Sequence, residues 1–247
     1  MSMALRGWVL ALTLAVVGLL QGCATVQPPS AAADPRDPWE GFNRRVHAFN
    51  DKIDLAVAKP VAQTYVQVVP SFVRTGVGNF LNNLTDVRTL TNAVLQLKPQ
   101  VAVETLVRIQ FNTVLGLGGL IDIASEMGLP HHREDFGQTL GRWGVPSGPY
   151  VVLPLLGPST VRDTAAIGVD SGTDIPSHLF DRHTARSLQG LRVIDKRASL
   201  LVTVDAMRAA ALDSYTFARD AYLQKRLNDV HDGNPPSNFD FSDPDKP

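Results

Sequence analysis

The sequence predicts an all-α protein, and three observations predict it. Apolar residues recur at helical spacing in several separate segments. From Leu191 to Val230, 40 consecutive residues contain neither Gly nor Pro. No stretch of useful length alternates apolar and polar with the period of two that a half-buried strand requires.

The first helix is predicted to start at Asp37-Pro38-Trp39-Glu40. Asp37 is placed to cap, Pro38 to take the first helical position and Glu40 to close a capping box. Phe42, Val46, Phe49, Ile53 and Val57 follow at spacings of 4, 3, 4 and 4, one apolar face of a helix. Asn43, Arg44, Asn50 and Asp51 fall off that face, and Asn43 requires a polar partner. Pro60 ends this element or begins the next. Phe80, Leu84, Val87, Leu90, Val94 and Leu97 form a second stripe, and Pro99 restarts the chain. Val103, Val107, Phe111 and Val114 form a third, stopped by Gly116, Gly118 and Gly119. The C-terminal run carries Val193, Leu200, Val204, Met207, Ala211, Ala218 and Tyr222 on one side and is long enough for two helices or one bent one. Tyr150-Val151-Val152-Leu153 is the only β-like segment, cut off by Pro154. Amphipathic stripes normally face a protein core; a membrane anchor makes a lipid leaflet the other candidate.

Charge narrows the function classes. Only 19% of the 247 residues are charged, against about 25% in a typical soluble domain. With 23 basic and 24 acidic residues spread along the chain, there is no basic stripe for nucleic acid. Trp8 to Leu20 is an apolar run of 13 residues behind Arg6. It is the length of a signal-peptide core and short of the roughly 20 residues of a membrane span. It ends in Leu20-Gln21-Gly22-Cys23, similar to a bacterial lipobox. Cys23 is the only cysteine, so disulfides are excluded and the thiol sits where acylation needs it. The expected organisation is a lipoprotein signal peptide over 1–22, an acylated cysteine and flexible tether over 23–36, a helical domain over 37–230 and a disordered acidic tail over 231–247.

Several segments imitate catalytic motifs. Asp170-Ser171-Gly172-Thr173 has the letters of an aspartic protease, but a single copy lacks the second carboxylate that chemistry needs, so a turn is expected. His131-His132 lies in a polar loop without metal-ligand spacing. Gly116-Leu117-Gly118-Gly119 lacks the Lys-Ser/Thr of a phosphate loop, and no serine sits in a nucleophile elbow. The sequence therefore predicts no catalytic residue, no metal and no cofactor.

Trp143 to Val161 is the most unusual segment: 19 residues, no charge, and seven Gly or Pro. Such a segment can lie against acyl chains without burying a charge, and its prolines remove donors that lipid cannot satisfy.

Together the lipobox, DPWEGFNRRVHAFN (37–50), FNTVLGLGGLIDIA (111–124), DFGQTLGRWGVPSGPYVVLPLLGPSTVRD (135–163) and RDAYLQKRL (219–227) resemble, in order, the MlaA/VacJ family of outer-membrane lipoproteins. The resemblance implies a ring of amphipathic helices lying in the inner leaflet of the outer membrane, around a central amphipathic channel. It implies an outer-membrane location, lipid-anchored on the periplasmic side, and removal of mislocalised glycerophospholipids from the outer leaflet. The implied partners are a trimeric porin of the OmpC/OmpF type and the periplasmic lipid carrier MlaC. The charge-free segment then becomes a hairpin loop beside the channel, comprising Gly144, Pro146, Gly148, Tyr150, Leu153, Pro154 and Gly157, with Tyr150 reaching lipid head groups. Arg142, Arg162 and Asp163 become candidates for the channel or its rim. Phe42, Asn43, Phe49, Phe136, Gly137 and Gly141 become structural motif residues. A soluble periplasmic lipid carrier and a membrane-associated lipase are the competing functional classes.

Overall fold

The computed structural model describes residues 34–236. The signal peptide, Cys23, most of the tether and the tail from 237 onward lie outside the described residues.

The described chain is helical throughout apart from one hairpin. Its elements are α1 (Glu40–Ile53), a π-helical turn (Asp54–Ala58), α2 (Lys59–Val68), α3 (Ser71–Leu95), α4 (Pro99–Val114), α5 (Ile123–Glu126), α6 (Phe136–Arg142), β1 (Tyr150–Leu153), β2 (Gly157–Thr160), α7 (Val161–Gly172), α8 (Ile175–Leu179), α9 (Arg182–Ser199), α10 (Leu201–Ala210) and α11 (Ser214–Val230). Among the described residues no helix is long and apolar enough to cross a membrane.

Pro60 begins α2. The π-helical turn before it widens the backbone, so the chain stays helical through a residue that lacks an N–H and crowds the preceding turn. α3 packs against α4, α9 against α2 and α3, and α11 against α6 and β2. β1 and β2 pair antiparallel, with Tyr150 opposite Thr160 and Leu153 opposite Gly157.

Several local expectations are corrected. Asp37 caps no helix: α1 begins at Glu40 behind Trp39, and Asp37 is buried, accepting hydrogen bonds from Asn43 Nδ2 at 2.8 Å and from the Tyr215 hydroxyl. The 40-residue C-terminal run is parts of three helices, broken after Ser199 and again after Ala210. Asp170 to Gly172 ends α7 instead of forming a free turn. His131 and His132 are pinned, with Nε2 of each 3.0 Å from Asp86 and 2.6 Å from Glu104 respectively. The polar tail does not begin at 231 as an untethered segment, because Asp232 pairs with Lys98.

Burial bears on the two readings of the apolar stripes. On α3 the buried positions are Leu81, Asn83, Asp86, Thr89, Asn92 and Ala93; on α4 they are Thr105, Arg108 and Asn112. Val94 and Leu97, from the second apolar stripe, are 57% and 86% exposed, and Val103 and Val114, from the third, 60% and 75%. Phe42 and Phe49 of α1 and Val57 of the π-helical turn are exposed while Asn43 is fully buried. Among the described residues, 19 polar or charged residues are buried against 10 apolar ones, and 34 large hydrophobic residues are exposed. A water-soluble domain has the opposite arrangement, with charged residues almost never buried unless paired. The conventional apolar core shrinks to Tyr150, Val152 and Tyr215, with Val46, Tyr222 and Leu223 packed against it.

Candidate functional site: the charge-free hairpin and the polar interior

The hairpin is fixed by side-chain amides. Asn43 Oδ1 accepts from Val152 N at 2.8 Å, and its Nδ2 donates to Tyr150 O at 3.1 Å. Two turns along α1, Asn50 Oδ1 accepts from Leu155 N at 2.8 Å, and its Nδ2 donates to Leu153 O at 2.9 Å. A helix has no spare backbone groups with which to pair a strand, so two amides one heptad apart substitute for a neighbouring strand. On the other side, Tyr150 N donates to Arg36 O at 2.8 Å, Val161 N to Pro149 O and Arg162 N to Ser147 O, both at 3.1 Å.

The tip is apolar and open. Leu155 and Leu156 are 70% and 68% exposed, and Leu155 holds a left-handed φ of +64°. Pro154 is exposed there, whereas Leu153 and Gly157 are partly covered. At the base, Gly144 and Gly148 take φ of +86° and +64°, which a side chain disfavours. Exposed Pro146 lies between them. Tyr150 does not reach outward. It is fully buried against the Tyr215 and Tyr222 rings, each with its centroid 6.2 Å away, and burial pushes its hydroxyl pKa up. Its placement follows from the pleat: in β1, Tyr150 and Val152 point to the side that α1 and α11 cover.

Arg162 and Asp163 are buried and Arg142 is exposed. Asp163 belongs to a network around Arg226. The guanidinium donates to both Asp135 oxygens at 2.7 and 3.0 Å and to both Asp163 oxygens at 2.9 Å. Tyr222 donates its hydroxyl to Asp163 at 2.8 Å, and Arg162 Nε donates to Asp163 at 3.0 Å. Burial opposes the charge on Asp135, but the Arg226 fork and the Gln138 N–H more than offset it and hold the pKa at about 2. Gly137 and Gly141 on α6 make this packing possible. A Cβ at Gly137 would lie 2.5 Å from Asp163 Oδ1, and one at Gly141 2.8 Å from Arg162 Nη1. Phe136, next to Gly137, packs edge-on against Trp143 and donates its N–H to Asp170.

The same network forms one wall of a cavity of about 750 Å³. Most of its lining residues are polar, among them Arg88, Lys98, His131, Glu134, Asp135 and Arg226, beside Pro99 and Val101. A second cavity of about 220 Å³ is lined by Arg88, Ile167, Asp170, Ser171, Asp174, Gln189 and Arg192. Arg88 belongs to both. Sequence reading singled out none of Arg88, Arg192 or Arg226, and placed Asn50 off the apolar face without a role. A signal for the interior was present: Asn83, Asp86, Thr89, Asn92 and Gln96 repeat every three or four residues, a polar stripe as regular as the apolar one beside it.

Helices that turn apolar residues outward around a polar interior are the arrangement expected of a protein whose surroundings are partly lipid. The comparisons specify the family. Residues 35–229 match the family model described as MlaA lipoprotein, and the chain belongs to that family. It is 36% identical over 216 residues to the intermembrane phospholipid transport system lipoprotein MlaA of Escherichia coli, covering 84% of this chain and 82% of that one. The lipoprotein of the same designation from Haemophilus influenzae is 33% identical over 219 residues, 87% of each chain. A chain solved in work on the structural basis for maintenance of bacterial outer membrane lipid asymmetry superposes with a TM-score of 0.70 at 34% identity, covering 78% of this chain and 98% of that chain.

Proposed function

We propose that this protein is the outer-membrane lipoprotein of a phospholipid transport system. It withdraws mislocalised glycerophospholipids from the outer leaflet, passes their head groups through its polar interior and delivers them to a periplasmic carrier of the MlaC kind. Cys23 carries the lipid anchor, the helices lie as a ring in the inner leaflet, and a trimeric porin of the OmpC/OmpF type is the membrane partner.

The observation that carries this reading is the inverted burial. In hydrocarbon there is no drive to hide Leu or Val, while every polar group must be satisfied inside. Leu97, Val114, Leu155 and Val202 outside, with Asp86, Arg108 and Arg162 inside, fit a protein whose solvent is partly lipid. The cavity lies within the roughly 300–1,000 Å³ range of ligand pockets, and its polar lining lowers the cost of moving a charged head group past acyl chains. The relatives' designations as phospholipid transport lipoproteins agree with a conduit and not an enzyme.

The test measures outer-leaflet phospholipid in cells with and without the gene, with Cys23→Ser as a second arm. Gene loss is expected to raise outer-leaflet phospholipid, and Cys23→Ser to release the protein from the membrane fraction with the same lipid defect. Unchanged outer-leaflet lipid after gene loss sinks the reading.

A further inference from the structure

We propose that Arg88 and Arg192 form a binding site for the phosphate of a glycerophospholipid head group, a station inside the conduit; this rests on the transport reading above. Five Lys or Arg side chains line the larger cavity. Lys98 is matched by Glu134 and Asp232, Lys225 by Asp229, and Arg226 by Asp135 and Asp163, while Arg133 is exposed to solvent. Arg88 has no carboxylate partner among the described residues, and its Nε is buried without any hydrogen-bond partner.

Arg192, which lines the smaller cavity with Arg88, repeats the pattern. Its Nη1 donates to Asp174 Oδ1 at 3.1 Å, while its Nε and Nη2 are buried without partners. The carboxylates nearby do not complete either guanidinium. Asp170 accepts the Phe136 N–H with both oxygens at 3.2 Å, and Asp174 leaves Oδ2 unpartnered.

Arginine cannot discharge itself by losing its proton. Both side chains are part-buried, but an N–H cut off from water without an acceptor is costly, and an anion removes that cost. The fork of Nε and Nη atoms matches two oxygens of a phosphate better than any neutral group does. Because Arg88 borders both cavities, a phosphate held there can have its head-group substituent in the larger space and its glycerol on the other side. A phosphodiester is common to all glycerophospholipids, so the site selects the class and not one head group.

The test uses the full lipoprotein in nanodiscs, with three probes: dihexanoyl phosphatidylglycerol, dihexanoylglycerol without phosphate, and inorganic phosphate. The wild type is expected to bind the phospholipid well above the phosphate-free diglyceride, with inorganic phosphate competing weakly. Arg88→Gln and Arg192→Gln are each expected to weaken phospholipid binding about tenfold or more, the loss of a charge-assisted hydrogen bond. Arg88→Lys, which keeps the charge without the fork, falls between. Circular dichroism and melting identify any variant that misfolds, and the conservative Lys variant carries the test if the Gln variant does. Equal binding by wild type and both Gln variants overturns the site, as does equal affinity for the diglyceride. Inorganic phosphate binding as tightly as the lipid also overturns it and assigns the arginines to a free anion. The two readings fail separately. A fully active, fully binding Arg88→Gln protein removes the station and leaves the transport role, whereas an unchanged outer leaflet on gene loss removes the role.

Discussion

Asn43 and Tyr150 are 107 residues apart, yet one side-chain amide joins them: Asn43 Nδ2 donates to Tyr150 O and Oδ1 accepts from Val152 N. Asn43 is fully buried, and the same Nδ2 also reaches Asp37. Asn43→Ala therefore takes a partner from a strand N–H and a strand carbonyl together, and one of its donors from Asp37, which keeps Tyr215. Each orphaned buried polar group costs about 1–3 kcal/mol, so a loss of several kcal/mol is expected, read as a large drop in melting temperature. Asn50 makes the matching bonds nearer the tip, where it is only part-buried. Asn50→Ala is expected to cost about 1 kcal/mol and to act locally. In native-state hydrogen exchange the Leu155 amide should speed up while the Val152 amide keeps its protection; equal acceleration of both shows that the two clamps are a single unit.

Two helical glycines separate by what surrounds them. At Gly137 an added methyl meets Asp163 and Arg226, so Gly137→Ala is expected to cost about 1–3 kcal/mol through overpacking. Gly168, inside α7, has nothing within 4 Å of an added Cβ. Gly168→Ala is expected to stabilise by about 0.5–1 kcal/mol, the ordinary helix gain. Opposite signs for two glycines of neighbouring helices, measured by thermal unfolding, check the packing around Arg226.

Asp135 fixes the acid limit of the fold. Burial raises its pKa, and the Arg226 fork with the Gln138 N–H carries it down to about 2; Asp163 is lowered by the same guanidinium against the same penalty. An unfolded aspartate titrates near 3.9. A pKa depressed on folding contributes stability that is complete above the unfolded value and disappears as pH falls towards the folded one. Melting temperature should therefore fall between about pH 4 and pH 2. Arg226→Gln should lower the neutral-pH value and flatten that acid step. An undiminished acid step in the variant assigns it to other carboxylates.

The helical class, the restart at Pro99 and the stripes themselves were legible because periodicity is a property of neighbouring residues. The direction in which a stripe points is not. Leu84, Val87 and Val94 would pattern identically in a water-soluble bundle, and only the polar counter-stripe of Asn83, Asp86, Thr89, Asn92 and Gln96 reveals that the protected side is the wet one. Tyr150 was misplaced because a tyrosine in an apolar segment suggests an interface, whereas the alternation of β1 sends it inward with Val152. The roles of Arg226 and Asn50 were not legible because their partners lie far off in sequence, Asp135 and Asp163 at separations of 91 and 63 and the hairpin backbone at 103, and pairing at that separation leaves no local trace.

The exposed tip of the hairpin separates a lipid-facing surface from a merely irregular loop. Leu155 and Leu156 are mostly exposed, so Leu155→Asp with Leu156→Asp should leave the stability of the isolated protein within about 0.5 kcal/mol per substitution of wild type. A charge placed in hydrocarbon costs about 2.5–3.5 kcal/mol on insertion scales. If the tip rests among acyl chains, the double variant should lose hairpin protection in vesicles and fail to clear outer-leaflet phospholipid, although it remains folded and anchored through Cys23. Leu155→Asn with Leu156→Asn carries polarity without charge and should fall between. Full clearance by the double Asp variant would mean that the tip lies in water, and the apolar contact surface would then be confined to the helices that expose Leu97, Val114 and Val202.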